Sequence, residues 1–171
     1  MCSLEPFKID LKALEEGKTT LQLQLDDAYF EAIEAPEIHR GQLVADVMIH
    51  RAGSVFDLEF HIVGHVHIPC DKCLDDMLQP IEADQRLVAR FGEEYSEEDE
   101  LVVVPEDEGR LDVSWLIYEF IELNIPIKHV HAPGNCNPAM MKMLEEHLAT
   151  RSSEEEETID PRWEALRKLK E

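Results

Sequence analysis

Between Leu43 and Phe91 the apolar residues keep a two-residue spacing that no helix can accommodate. Leu43, Ala45, Val47 and Ile49 share one parity, the turn Arg51-Ala52-Gly53-Ser54 intervenes, and Phe56, Leu58, Phe60, Ile62, Gly64, Val66 and Ile68 share another. Successive side chains of a strand point to opposite faces, so this pattern predicts a long β-hairpin with one buried face. The opposite face of its second strand carries Asp57, Glu59, His61, His65 and His67. After Cys70-Asp71-Lys72-Cys73 the alternation resumes as Ile81, Ala83, Leu87, Ala89 and Phe91, a third antiparallel strand that pairs back across the cysteine turn.

The flanking segments are shorter. Phe7, Ile9 and Leu11, then Leu21, Leu23 and Leu25, alternate with polar residues and read as strands with one wet face. Asp26 or Asp27 can cap a short helix through Tyr29, Phe30 and Ile33 that Pro36 ends, and Leu101 to Val104 is a short strand stopped by Pro105. The period then changes to 3.6. Val113, Leu116, Ile117, Phe120 and Ile121 form one stripe, with Asp112 as cap, Pro126 as terminator, and Trp115, Tyr118, Glu119 and Glu122 away from the stripe's centre. A second amphipathic helix starts at Asn137-Pro138 and carries Met141, Leu144 and Leu148, its methionines read as core filler. Strands followed by helices, rather than alternating with them, predict an α+β domain over residues 1–149. Its antiparallel sheet is built on the long hairpin, with curling toward a barrel left open, and two amphipathic helices pack it. Residues 150–159 read as an acidic linker. Residues 160–171 read as a C-terminal tail helix, with Trp163, Leu166 and Leu169 on one side.

Charge narrows the partners. Sixteen basic against 38 acidic residues give a net charge of −22, which repels polyphosphates at long range and attracts basic proteins. The acidic runs at 93–100 and 154–157 read as a solvated loop and linker. Four basic residues fall in the last ten positions, so any contact with RNA phosphates is expected to be local, through Arg162, Arg167, Lys168 and Lys170 beside Trp163. No apolar run reaches membrane-spanning length and the first residues lack a secretory pattern, which places the chain in the cytosol and away from membranes.

In a reducing compartment, four cysteines with two of them three residues apart favour metal or redox chemistry over structural disulfides. Cys70 and Cys73 on a tight turn can supply half of a tetrahedral zinc site, with about 2.3 Å per sulfur. The stretch from His129 to Cys136 is the source of the other half. His131 and Cys136 are the chosen ligands because the Pro133-Gly134 loop between them can bend both donors toward one ion, with His129 and His67 in reserve. Two other readings stand beside this one. The cysteines can simply be reduced neighbours, or they can form a redox pair, although a thiol–disulfide catalyst favours Cys70 at a helix N-terminus and here strands flank the turn. The pairs His65-x-His67 and His129-x-His131 also raise a metal-dependent enzyme on a histidine-rich strand face. Histidines on a wet strand face are more often just solvated. The chain has no nucleophile elbow, glycine-rich phosphate loop or His-Glu-x-x-His motif, so the expectation is a protein without catalytic residues.

These pieces, in their order, resemble the YceD-like family of large ribosomal RNA subunit accumulation proteins. The resemblance runs from about Phe7 to Lys170. It rests on the Cys70-Asp71-Lys72-Cys73-Leu74 knuckle after a long hairpin, an acidic loop, Leu111-Asp112-Val113 opening a helix with Ile125-Pro126-Ile127 at its end, and the ending Asp160-Pro161-Arg162-Trp163-x-x-Leu166-x-x-Leu169-Lys170. Members of that family often carry a second close cysteine pair in the late loop, where this chain has Cys136 preceded by His131 and His129. The resemblance implies a non-enzymatic role in 23S rRNA accumulation and ribosome biogenesis. The expected partners are a large-subunit precursor, 23S rRNA or a basic ribosomal protein.

Overall fold

The structure, a computed structural model, describes residues 4–98 and 100–147. The chain divides into two compact units, residues 1–136 and 137–171. In the first unit a single 3-10 turn, Glu5–Phe7, leads into β1 (Lys8–Asp10), β2 (Gly17–Leu25), α1 (Asp27–Ala32), β3 (Gly41–Ala52), β4 (Val55–Pro69) and β5 (Asp76–Gly92). Then come β6 (Ser96–Glu98), β7 (Leu101–Pro105), β8 (Arg110–Asp112) and α2 (Ser114–Leu123). The second unit contains α3 (Pro138–His147).

The alternation in the sequence becomes the central three strands. β3 and β4 pair from Gly41↔Val66 to Ala52↔Val55, and β4 and β5 from Val55↔Arg90 to Pro69↔Asp76, both antiparallel. This register puts Val47 opposite Phe60, Ile49 opposite Leu58 and Ala45 opposite Ile62, so the apolar residues of neighbouring strands meet on one face. That face is covered by α1 and α2. Leu116, Ile117, Tyr118 and Ile121 are buried there, Phe120 meets Phe60 edge-on at 5.2 Å, and the Tyr29 hydroxyl donates to the Ser114 carbonyl at 2.7 Å. The six strands run β2-β3-β4-β5-β7-β6, an open sheet with edges at β2 and β6 and not a closed barrel.

Several expectations are corrected. β1 belongs to a separate two-stranded sheet with β8, in which Ile9 lies opposite Leu111 and both are buried. β8 occupies residues expected to open a helix, so α2 begins at Ser114; Asp112 still serves that end, its carboxylate accepting from the Ser114 backbone N–H at 2.9 Å. Part of the first acidic run is strand: β6 exposes all three of its residues and pairs with β7, which lies parallel to β5 and buries Val102 and Val104. Charge thus lies on the outermost strand, where it discourages further pairing. Tyr118 is fully buried, not off the stripe. Its ring follows the stripe inward while its hydroxyl reaches back to accept from the Glu37 backbone N–H at 3.4 Å. In the second unit, the Asn137 side chain accepts from the Ala139 N–H at 3.0 Å, which caps α3 as expected. However, α3 has no buried residue, so its methionines do not fill a core as expected. The acidic linker and the tail helix lie outside the described residues.

Candidate metal centre

The β4–β5 hairpin closes through Cys70 to Asp75. The Cys70 N–H donates to the Asp75 carbonyl and the Leu74 N–H to the Cys70 carbonyl, each at 2.9 Å, which curls both cysteine side chains inward. Leu74 closes this knuckle with φ 62, a left-handed conformation that costs a non-glycine residue about 1–2 kcal/mol. Cys70 and Cys73 are buried, while Leu74 is exposed.

The loop after α2 returns to this knuckle. Its anchor is Asp71: the Asp71 N–H donates to the His129 carbonyl at 3.0 Å, and the His129 N–H donates to Asp71 Oδ2 at 2.8 Å. The His129 ring joins the clasp, with Nε2 3.3 Å from Asp71 Oδ1 and Nδ1 3.0 Å from the Pro126 carbonyl. Two residues further on, His131 Nδ1 stands 3.3 Å from Cys73 Sγ, and Cys136 Sγ stands 4.0 Å from Cys70 Sγ. One donor atom from each of Cys70, Cys73, His131 and Cys136 lies within 4.8 Å of all the others. The edge of a tetrahedron with arms of about 2.3 Å is about 3.8 Å, which lies between the 3.3 and 4.0 Å separations seen here, so the group could hold a metal ion.

The reserve ligands are otherwise engaged. Both ring nitrogens of His129 face oxygens, and His67 Nδ1 lies 2.6 Å from Asp76 Oδ2, to which Arg40 also bonds at 3.0 Å. The His67 hydrogen bond and the Arg40 charge hold the Asp76 carboxyl below its ordinary range. Burial opposes ionisation of Cys70, but backbone N–H groups of Cys73, His131 and Lys72 aimed at its sulfur bring its pKa down to about 6. A hydrogen bond to Cys70, reinforced by one to Cys73, raises His131, and burial raises Cys136. Within the cluster, negative charge therefore gathers on Cys70 and positive charge on His131. A divalent cation, if bound, would replace the imidazolium proton and meet neutral His131 beside thiolates.

The histidine-rich strand face does not converge in this way. The rings of His65 and His67 lie 6.3 Å apart, and His61 Nδ1 is 2.7 Å from Asp84 Oδ1. Among the described residues, the Cys/His cluster is the one group with metal-ligating geometry. The Asp84 hydrogen bond raises His61 above the ordinary value of 6.5. A raised histidine stabilises the fold below its unfolded pKa, and that contribution disappears as pH rises through the folded value. An NMR titration should place His61 above 6.5 and Asp84→Asn should lower it; an unmoved midpoint contradicts the pairing.

Asp71 has no signature in the sequence, because its partner is 58 residues away. Groups that orient metal ligands typically contribute 10- to 100-fold in affinity. Asp71→Ala is therefore expected to weaken zinc binding about 10- to 100-fold in a chelator competition, with the cysteine count unchanged. Equal affinities would remove Asp71 from the site.

Arg162, Trp163, Arg167, Lys168 and Lys170, expected to contact a partner or RNA, lie outside the described residues. Among the described residues no helix is long and apolar enough to cross a membrane. In comparison with known proteins, the model of a family described as "Large ribosomal RNA subunit accumulation protein YceD" matches residues 58–170. That span takes in most of β4, the knuckle, α2 and the late loop, and it begins well after Phe7, where the resemblance begins. No curated protein and no solved structure matches the chain.

Proposed function

The chain belongs to the YceD family, and from that premise we propose that it is a non-enzymatic factor supporting 23S rRNA accumulation during assembly of the large ribosomal subunit, in the cytoplasm. Cys70, Cys73, His131 and Cys136 hold a structural zinc ion that ties the late loop to the knuckle. The family match over residues 58–170 carries this reading.

Charge distribution supports a local contact. β6 and β7 pair near the end of β5 at Val88–Gly92, while the knuckle sits at its start. At about 3.3 Å per residue, the 15 residues of β4 separate the two ends by roughly 50 Å, several times the Debye length of about 8 Å. Phosphates approaching Lys72 and Lys128 at the knuckle end are screened from the acidic run and meet the local acids Asp71, Asp75 and Asp76, the last paired with Arg40. The Arg162–Lys170 segment supplies four further cations to the same large-subunit precursor, beside Trp163 as a stacking group.

Sucrose-gradient sedimentation tests the reading. The purified chain is expected to comigrate with large-subunit precursors, and deletion of residues 160–171 to weaken that association. If four phosphate contacts are lost, the log–log salt slope should flatten by about 3. Sedimentation with free protein alone, at low salt as well, ends the proposal.

A further inference from the structure

The four donors differ in access. Cys70 and Cys73 are 0% and 1% exposed, whereas Cys136 is partly open and follows the exposed run Ala132-Pro133-Gly134-Asn135. Gly134 has φ 89 and nothing within 4 Å of where a Cβ would sit, so the backbone beside Cys136 has room to move. The Cys136 sulfur lies 4.0 Å from that of Cys70, and the Cys73 sulfur 3.3 Å from His131 Nδ1. A disulfide needs the sulfurs at about 2.05 Å, so the loop must close by about 2 Å.

We propose that Cys136 is an oxidation site whose product is a Cys70–Cys136 disulfide, formed by hydrogen peroxide or a similar two-electron hydroperoxide oxidant. The Cys136 thiol gives up its proton and its sulfur attacks one peroxide oxygen, the O–O bond breaks, and Cys136 becomes a sulfenic acid as the departing hydroxide takes up a proton and leaves as water. The Cys70 thiolate then attacks the sulfenic sulfur, the S–O bond breaks, and the second hydroxide leaves as water. Two sulfurs lose two electrons in all, and one peroxide becomes two waters. The consequence for the metal rests on the zinc reading above: with two of four ligands consumed, Cys73 and His131 alone do not retain the ion. The new bond spans 66 residues and keeps the late loop on the knuckle, so oxidation exchanges a metal tether for a covalent one.

The test uses the full chain carrying Cys2→Ser, which removes the one thiol outside the cluster. Zinc release under hydrogen peroxide is followed with a chromogenic chelator, and unreduced tryptic peptides are mapped by mass spectrometry. Trypsin cuts after Lys72, so Cys70 and Cys73 fall on different peptides and their bonds are told apart. The expected result is a Cys70–Cys136 peptide pair that appears in step with zinc release and vanishes under dithiothreitol. The same pair is expected in the Cys73→Ser variant and not in Cys136→Ser. A predominant Cys70–Cys73 pair, or thiols that survive peroxide sufficient to oxidise free cysteine, overturns the proposal. Zinc content of the untreated protein decides the metal reading separately, because disulfide mapping is equally informative on chelator-stripped protein.

Discussion

Elemental analysis of the purified chain should return roughly one zinc ion per molecule, and the Cys73→Ser variant close to none. Cys73 is buried and its sulfur lies 3.3 Å from His131, so removing it deletes a donor from the interior of the cluster. A ligand present at 1,000 times its Kd stabilises the folded state by about 4 kcal/mol. In a chain of this size each kcal/mol moves Tm by about 2–4 °C, so chelation or Cys73→Ser should lower Tm by roughly 8–16 °C at saturating zinc. The loss is confined in space. The apolar core of the first unit contains neither Cys70 nor Cys73, and the late loop is otherwise held to the knuckle by the Asp71–His129 clasp. Far-ultraviolet circular dichroism of the stripped protein should therefore retain the sheet signal, while protease sensitivity rises between Lys128 and Cys136. Wild-type protein purified with zinc present yet holding less than a tenth of an ion per chain would dismiss the site, as would full occupancy in Cys73→Ser.

The parts of this fold that were legible in the sequence are those whose cause is local. Strand parity from Leu43 to Phe91 is a property of neighbours two apart, and burial of Val47, Phe60, Ile62 and Ala83 follows it. The cap at Asp26 is equally local, its carboxylate accepting from the Tyr29 N–H at 3.1 Å. What escaped depends on distant partners. Lys8–Asp10 looks like one more edge of the main sheet until its mate Arg110–Asp112 is known, and that mate was hidden inside an apparent helix start. The parallel placement of β7 beside β5 has no signature in Leu101–Pro105 itself. α3 has the period of an amphipathic helix, yet none of its residues is buried, and period alone does not decide burial. The convergence of Cys70, Cys73, His131 and Cys136 was suggested by their spacing, whereas the Asp71 clasp that delivers the loop was not.

Gly64 shows the same limit at one residue and carries the second large expected effect. Its position in the apolar parity of β4 suggests a place where any small hydrophobic residue fits, with alanine the obvious substitute. The structure excludes this. Gly64 pairs with Leu43, has φ 154, and a Cβ built there meets the Gln42 carbonyl oxygen at 2.2 Å and Leu43 Cα at 2.6 Å. Both obstacles are backbone atoms of the adjoining strand, so no rotamer change relieves the clash, and β3 and β4 must separate where Gln42 and Leu43 approach Gly64. Overpacking of this kind typically costs 1–3 kcal/mol, and here the cost should lie at the upper end, about 3 kcal/mol, because main chain rather than side chain has to move. At about 2–4 °C per kcal/mol, Gly64→Ala should melt roughly 6–12 °C below wild type. Gly53→Ala is the control: its Cβ meets nothing within 4 Å, so only the left-handed backbone cost at φ 64 remains, about 1–2 kcal/mol. Thermal unfolding of both variants compares a positive-φ site without a clash with one, Gly64 at φ 154, that has both. If Gly64→Ala melts no lower than Gly53→Ala, the close approach of β3 to β4 is not what fixes glycine at this position.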